Sequence, residues 1–379
     1  MLLTDPRDRC RLRLERMTQT DICIAGAGII GLSLALELHA RGLSVIVLDS
    51  GAPMQQASTA AAGMLAADDP HNPPEISDLS HLSLTLYPAF LDRVHSLSGV
   101  AVPFQTQRTL QSLSDNRAPT LPQELRAKLM IEEDSTALDP DSGFIFLAER
   151  SIDPRQLAPA LIAAVANTLI QAIYDSPVIS TSYGAGSVTV QTPAATIQAS
   201  HFIDCTGAWA GSSDNDANFR AIPVKGQMLS LALPADLPLR TTLRTEDIYI
   251  VPRTLGPAAG RAIVGATVEE AGFDRTVEPA AIESLRQRAI SLIPGLAHAT
   301  IVDSWAGLRP ATPDRLPILG RHPTRPHHWL AAGHYRNGIL LAPATAKVMS
   351  DLILDRTPAI SLEAFSASRH TLSLAIGVL

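Results

Sequence analysis

The chain has 379 residues, 46% hydrophobic and 18% charged, with a net charge of −7. That is enough apolar content for about two or three folded domains and excludes a chain disordered throughout. No long basic run appears, which argues against nucleic acid as the main partner, and no apolar stretch reaches the roughly 18 residues that an integral membrane helix needs.

Cys10, Cys23 and Cys205 form no C-x-x-C pair. An odd, low count fits a reducing cytoplasm, and Cys23 and Cys205 read as buried small residues. The opening segment MLLTDPRDRCRLRLERM mixes charges and lacks the apolar core of a secretory signal. Three readings stand for it: a flexible tail, an over-long start before Met17, or a basic amphipathic helix.

Asp21–Ala25 is a short apolar run, and Gly26-Ala27-Gly28-Ile29-Ile30-Gly31 is a G-x-G-x-x-G turn. Leu32–Arg41 has helical spacing stopped by Gly42, and a second apolar run, Leu43–Leu48, is closed by Asp49. Strand, glycine turn, helix, strand and acid follow in the order of a dinucleotide-binding βαβ unit. The helix start offers free N–H groups and a positive dipole end to phosphate, and Asp49 offers acceptors to a ribose. The motif alone does not choose between dinucleotides.

Small residues dominate Ser58–Leu65 (STAAAGML). This is either a tightly packed loop or helix start, or a backbone-lined cradle with Met64 and Leu65 against a ring. Residues 68–80 are acidic and contain prolines, as a surface loop does. His81–Leu97 carries Leu82, Leu86, Phe90 and Val94 at helical spacing. Residues 102–147, broken at Pro119, Pro122 and Pro140, predict strands and a helix of a second domain. Asp153 is an expected N-cap with Pro154 at the first helical position, and that helix extends to about Thr168. Short strands follow near 170–174, 187–191 and 196–199.

His201–Trp209 is an apolar strand ending in T-G-A-W, either an ordinary strand–turn or an edge lying over a nucleotide. Pro223–Leu231, Ile248–Arg253 and Ala262–Thr267 predict an antiparallel sheet apart from the nucleotide domain, and Pro279–Ile293 a helix. Within 303–354 a glycine-containing turn, Gly333–Ile339, feeds the helix Leu340–Leu354, with Pro343 near its start. The chain thereby returns to the nucleotide domain. The 11 histidines show no metal-ligand spacing, so no metal is expected.

The words STAAAGML, IYIVPR, WAGLRPATPDRLPILGRHP and AGHYRNGILLAPATA resemble the FAD-dependent amine oxidases of the D-amino-acid oxidase group, and within it the glycine oxidase branch of thiamine biosynthesis. The resemblance extends over about residues 20–365. It implies an α/β fold: an FAD-binding Rossmann-like domain (20–80, 150–215 and 303–365) with a second α+β substrate domain built on an antiparallel sheet (81–149 and 216–302). Tails would lie at 1–19 and 366–379.

Carried over residue by residue, it places Gly26, Ala27, Gly28, Ile30 and Gly31 at the FAD pyrophosphate and Asp49 at the adenosine ribose, where the family more often has glutamate. Ser58, Thr59, Ala62, Gly63 and Met64 fall near the ribityl chain and flavin, and Val178 at the adenine. Thr206 and Gly207 border the dinucleotide. His334, Tyr335, Arg336, Asn337, Gly338 and Ile339 wrap the isoalloxazine.

Arg309 matches the arginine that grips the substrate carboxylate, Tyr249 a tyrosine bonding the same group, and Arg336 a second arginine nearby. Met64 and Val268, the latter in place of a family methionine, are the expected pocket wall. An arginine fork suits a planar carboxylate. From the residues alone, Arg309 reads equally as a structural ion-pair partner and Tyr249 as a half-buried core residue. Trp209, Trp305 and Trp329 read as packing, and His334 as a turn histidine bonding backbone. No acid or base is named, since hydride transfer to flavin N5 from a neutral amine needs none.

No cysteine follows Cys205 and no histidine lies between Asp49 and Met64, so non-covalent FAD is expected. The implied reaction takes glycine, water and O₂ to glyoxylate, ammonia and H₂O₂ through an imine, in a cytoplasmic homotetramer. Alternatives are a D-amino-acid or sarcosine oxidase or dehydrogenase, a quinone-linked enzyme, and a non-catalytic flavin-binding protein.

Overall fold

The computed structural model describes residues 18–113, 121, 123–131, 143–211 and 220–369. The N-terminal segment with Cys10, the breaks at Pro119, Pro122 and Pro140, and the tail beyond 369 lie outside the described residues.

In chain order the elements begin with β1 (Thr18–Ala25), α1 (Ile29–Ala40), β2 (Val45–Leu48), α2 (Ala57–Ala60) and α3 (Ser77–Ser98). Next come β3 (Thr109–Ser112), α4 (Gln123–Lys128), β4 (Phe144–Leu147), α5 (Pro154–Ala166), β5 (Gln171–Ile173), β6 (Ser180–Tyr183), β7 (Val188–Gln191) and β8 (Thr196–Asp204). The second half adds β9 (Ile222–Ala232), β10 (Thr242–Arg244), β11 (Tyr249–Arg253), β12 (Arg261–Gly265), α6 (Pro279–Leu292), β13 (Thr300–Ala311), β14 (Ile318–Arg321), β15 (His328–Ala332) and α7 (Gly338–Ile353).

The first sheet runs β14-β15-β8-β1-β2-β5, with β7 and β6 added against the first half of β8. The β15, β8, β1, β2 and β5 neighbours are parallel. Side-chain alternation sorts the core: Ile22, Ile24, Val45 and Val47 face the helices α1, α3, α5 and α7, while Cys23, Ala25, Ile46 and Leu48 face the β6–β7 side. Helix α1 is apolar on nearly every side because it is enclosed, and it starts directly after Gly28. Asp153 caps α5 as expected, its carboxylate accepting from the Arg155 N–H at 3.0 Å.

The second sheet runs β13-β9-β12-β11-β10-β3-β4, antiparallel except where β10 meets β3. Its core face is closed by α4 and α6 through residues such as Leu125, Ile282, Leu285 and Leu292.

Two expected domain boundaries are displaced. Strand β13, expected in the first domain, pairs along its length with β9 as the edge of the second sheet. The chain therefore returns to the first sheet only after Ala311.

Helix α3, expected in the second domain, belongs to the first core. Its most buried stripe is Leu79, Ser83, Tyr87, Leu91 and Val94; of the anticipated Leu82, Leu86, Phe90 and Val94, Val94 lies in that stripe and the other three pack half-buried beside it, so the buried face is rotated. Pro343 explains the rotation. It has no N–H for the Ile339 carbonyl one turn back in α7. The Tyr87 hydroxyl donates to that carbonyl at 2.5 Å. Beside it the Ser83 hydroxyl donates to the Leu340 carbonyl at 2.5 Å and accepts from the Ala344 N–H at 3.2 Å. Two polar side chains are buried in α3 because they mend the ladder of α7.

Tyr87→Phe leaves that buried carbonyl unpaired and is expected to destabilise the fold by about 1–3 kcal/mol in chemical denaturation. Adding Pro343→Ala, which restores the missing N–H, is expected to recover most of the loss.

Candidate cofactor and substrate site

The parallel strands end side by side at Ala25, Leu48, Asp204 and Ala332, and these ends line a cavity of about 660 Å³. The chain leaves each end within a few residues. Gly26 does so with φ +104°, where a Cβ would meet the Cys205 carbonyl oxygen at 2.3 Å. Gly31 faces inward instead: a Cβ there would lie 1.9 Å from the Gly26 oxygen, so its role is close helix–turn packing.

The Asp49 carboxylate receives the Ala27 N–H at 2.6 Å and the Gly51 N–H at 3.0 Å. It braces the glycine turn as well as facing the cavity. The Ser58 hydroxyl accepts the Ile29 N–H at 2.9 Å, fixing the small-residue segment to the start of α1. Of the residues expected at the cofactor, Ala27, Gly31 and Thr59 do not line the cavity, and the other positions do. Ala27 packs into the core, and the Thr59 hydroxyl turns to the Met54 carbonyl at 3.0 Å.

The far end of the cavity is closed by β9, β11 and β13 of the second sheet, which bring Met228, Tyr249 and Arg309 to it. One nitrogen of the Arg309 guanidinium donates to the Thr267 carbonyl at 3.0 Å and the Lys225 carbonyl at 3.3 Å. Gly226 makes the space: a Cβ there would lie 2.4 Å from that guanidinium. Gly265 does the same for Tyr249, whose hydroxyl donates to the Met228 sulfur at 3.2 Å. Burial pushes the Tyr249 hydroxyl above its ordinary range, and the nearby Arg309 and Arg336 guanidinium groups oppose the rise. Tyr249, Arg309 and Arg336 thus share one end of the cavity.

Val268 does not join them. Its side chain points outward, 65% exposed, and lies outside the lining. The loop after β12 turns away from the cavity there, which removes Val268 from the expected wall.

His334 is buried with its Nε2 3.1 Å from the Thr345 hydroxyl, a side-chain partner where a backbone one was expected. Burial pulls its pKa down to about 3, so it is a neutral ring at physiological pH. Cys205 also lines the cavity, and burial, with the nearby Asp204 carboxylate, raises its thiol well above the ordinary range, which disfavours the thiolate.

Trp209 is more than packing: it lines the cavity and stacks on Phe273 at 5.3 Å at the rim. Trp305 donates to the Ala60 carbonyl at 3.0 Å, tying β13 to α2. Trp329 is a core residue as expected.

Sequence reasoning missed Gly226, Met228 and Asp69. A glycine inside the strand word PVKGQMLSL is a signal of close approach and pointed to the first. Nothing local marked the other two.

The family model for FAD dependent oxidoreductases matches residues 21–352. The chain belongs to this family. It is 34% identical to a glycine oxidase of Bacillus licheniformis over 92% of this chain and 97% of that one. It is 36% identical to the bifunctional protein ThiO/ThiG of Trichormus variabilis, covering 92% of this chain but only 55% of that relative's length. The crystal structure of glycine oxidase from Geobacillus kaustophilus superposes with a TM-score of 0.81 at 28% identity, over 93% of this chain and all of that one.

The geometry fits an FAD cofactor on its own terms. A cavity lined at one end by Val178 and at the other by Arg309 passes Gly26 and Gly28 of the glycine turn and two helix N-termini, those of α1 and α7. No group of three or more His, Cys, Asp or Glu among the described residues could hold a metal ion. No helix among them is long and apolar enough to cross a membrane.

Burial holds His334 and His328 neutral, with pKa values near 3 against 6.5 for a free ring. Below pH 6.5 the unfolded chain binds these protons and the folded one does not, so stability is expected to fall as pH drops from 6.5 toward 3. Denaturant titrations across that window check this, and replacing both with glutamine should flatten the slope.

Proposed function

We propose that this protein is an FAD-dependent glycine oxidase, converting glycine, water and O₂ to glyoxylate, ammonia and H₂O₂ through an imine, with sarcosine and D-alanine as further small substrates. One observation carries the reading: Arg309, Tyr249 and Arg336 converge at one end of a cavity whose other end is a dinucleotide turn. The likeness to glycine oxidases over nearly their whole length supports the same choice. On this reading the imine supplies the thiazole of thiamine, as the resemblance to the glycine oxidase branch of thiamine biosynthesis implies. O₂ is the acceptor, FAD is held without a covalent bond, and the protein is a cytoplasmic homo-oligomer. The domain division is a first-sheet cofactor domain and a second-sheet substrate domain that includes β13.

When bound, FAD supplies the hydride acceptor. The protein's part is orientation. Gly26, Gly28 and the start of α1 would hold the pyrophosphate, Asp49 the ribose, and Ser58 and Ala62–Met64 the flavin side. Arg309 would take the substrate carboxylate through its fork, with the Tyr249 hydroxyl and Arg336 beside it. Fixing the carboxylate fixes the α-carbon, and loss of translational and rotational freedom on binding lowers the barrier. The N-terminus of α7, at Gly338 on the cavity wall, would favour an electron-rich ring. His334, buried and bonded to the Thr345 hydroxyl, is given no acid or base role.

Anaerobic addition of glycine to the purified holoprotein is expected to bleach the visible flavin band. Bleaching by D-alanine or bulkier amines only would move the protein to a neighbouring branch of the family, and no bleaching at all would overturn the substrate class. Arg309→Ala is expected to weaken substrate binding by about 2–5 kcal/mol while FAD stays bound. Gly226→Ala, which drives a methyl into the Arg309 guanidinium, should likewise raise KM without releasing FAD.

A further inference from the structure

We propose that Asp69 is a positioning residue that holds the Arg336 guanidinium at the substrate end of the cavity and thereby sets the affinity for the substrate carboxylate. The proposal rests on the reading of Arg336 as a carboxylate-facing arginine.

Asp69 lies on the cavity wall, yet its side chain is only 5% exposed. Its two oxygens divide the work. Oδ1 accepts the His71 backbone N–H at 3.0 Å and faces His71 Nδ1 at 3.1 Å, which fixes the carboxylate plane. Oδ2 sits between two guanidinium groups, 3.7 Å from Arg336 Nη2 and 3.7 Å from Arg244 Nε.

The two arginines differ. Arg244 is buried and anchored by Glu149 at 2.9 Å and by Gln111. It is an immobile cation with a carboxylate of its own. Arg336 is 38% exposed on a turn after β15, so solvent competes for it. A long cation left to solvent samples many rotamers, and a fixed carboxylate removes most of them. The formal charges of Arg244, Glu149, Asp69 and Arg336 sum to zero, so Asp69 supplies the carboxylate that offsets Arg336.

The same loop braces the next residue. The Asn337 side chain donates to Asn72 Oδ1 at 3.0 Å, and Asn72 is itself held to the Ala66 carbonyl at 2.9 Å and the Asp69 carbonyl at 2.9 Å. Residues 66–72 are therefore a bracket for the turn that carries Arg336.

The test uses the FAD-loaded protein titrated with glycolate, a carboxylate with no amine to oxidise, followed in the flavin spectrum, alongside steady-state turnover of glycine. Asp69→Asn is expected to raise the glycolate dissociation constant and the glycine KM about tenfold, with kcat nearly unchanged. Asp69→Glu keeps the charge but moves it by one methylene, and a smaller shift of roughly threefold is expected. With Arg336→Gln already in place, Asp69→Asn should add nothing.

Parental glycolate affinity in Asp69→Asn, while Arg336→Gln binds weakly, overturns the proposal and leaves the functional reading intact. Multiplying effects in the double variant overturn it too. Parental affinity in Arg336→Gln removes Arg336 from the carboxylate and takes the proposal with it. Should Asp69→Asn fail to retain FAD, Asp69→Glu decides, and parental affinity there overturns the proposal.

Discussion

Parallel strands can only end together, and each must then turn its backbone away within a few residues. Here the ends at Ala25, Leu48, Asp204 and Ala332 stand in one row. Gly26, Gly207 and Gly333 take the left-handed turns that follow three of them, with φ of +104°, +61° and +76°. Because α1 and α7 both start at this edge, their unpaired N–H groups and positive dipole ends converge on the same space. An anionic dinucleotide is what such an edge stabilises, and the family assignment agrees with it.

The second sheet completes the site by removing side chains. Gly226, Gly265 and Gly307 lie in strands, where glycine is ordinarily unfavourable. Each is adjacent to a residue that needs its missing Cβ: the Arg309 guanidinium, the Tyr249 hydroxyl and Ala60 of the small-residue segment. The first two place a cation and a hydroxyl at the cavity, and the third lets β13 lie on α2. Trp305, bonded to the Ala60 carbonyl, secures that contact. The substrate end is thus built where the two sheets touch, through a strand of the second that rests on a helix of the first.

Several buried polar groups elsewhere each answer a specific orphan. Ser83 and Tyr87 serve the break that Pro343 makes in α7. Asp69 lies between Arg244 and Arg336, and Asp49 between the N–H groups of Ala27 and Gly51. Such groups are costly to bury alone and specific when paired. This is why acidic residues resembling a surface loop at 68–80 contribute one carboxylate to the wall of the site.

The sequence by itself determined the βαβ turn, the alternation in β1 and β2, the Asp153 cap and the identity of Arg309, Tyr249 and Arg336 as candidates. These are local properties: a φ only glycine tolerates, a period of two, a cap two residues from its donor, or a word long enough to carry a family resemblance. Only the tertiary structure decided which sheet owns β13, which face α3 buries, that Val268 points to solvent, and that Asp69 reaches Arg336. Each depends on a partner far away in the chain: β9 for β13, the carbonyl left bare by Pro343 for Tyr87, the course of the loop after β12 for Val268, and a turn after β15 for Asp69. Spacing along a chain encodes what lies within a helical turn or a strand pair, whereas hydrogen-bond satisfaction between distant elements exists only once they have packed.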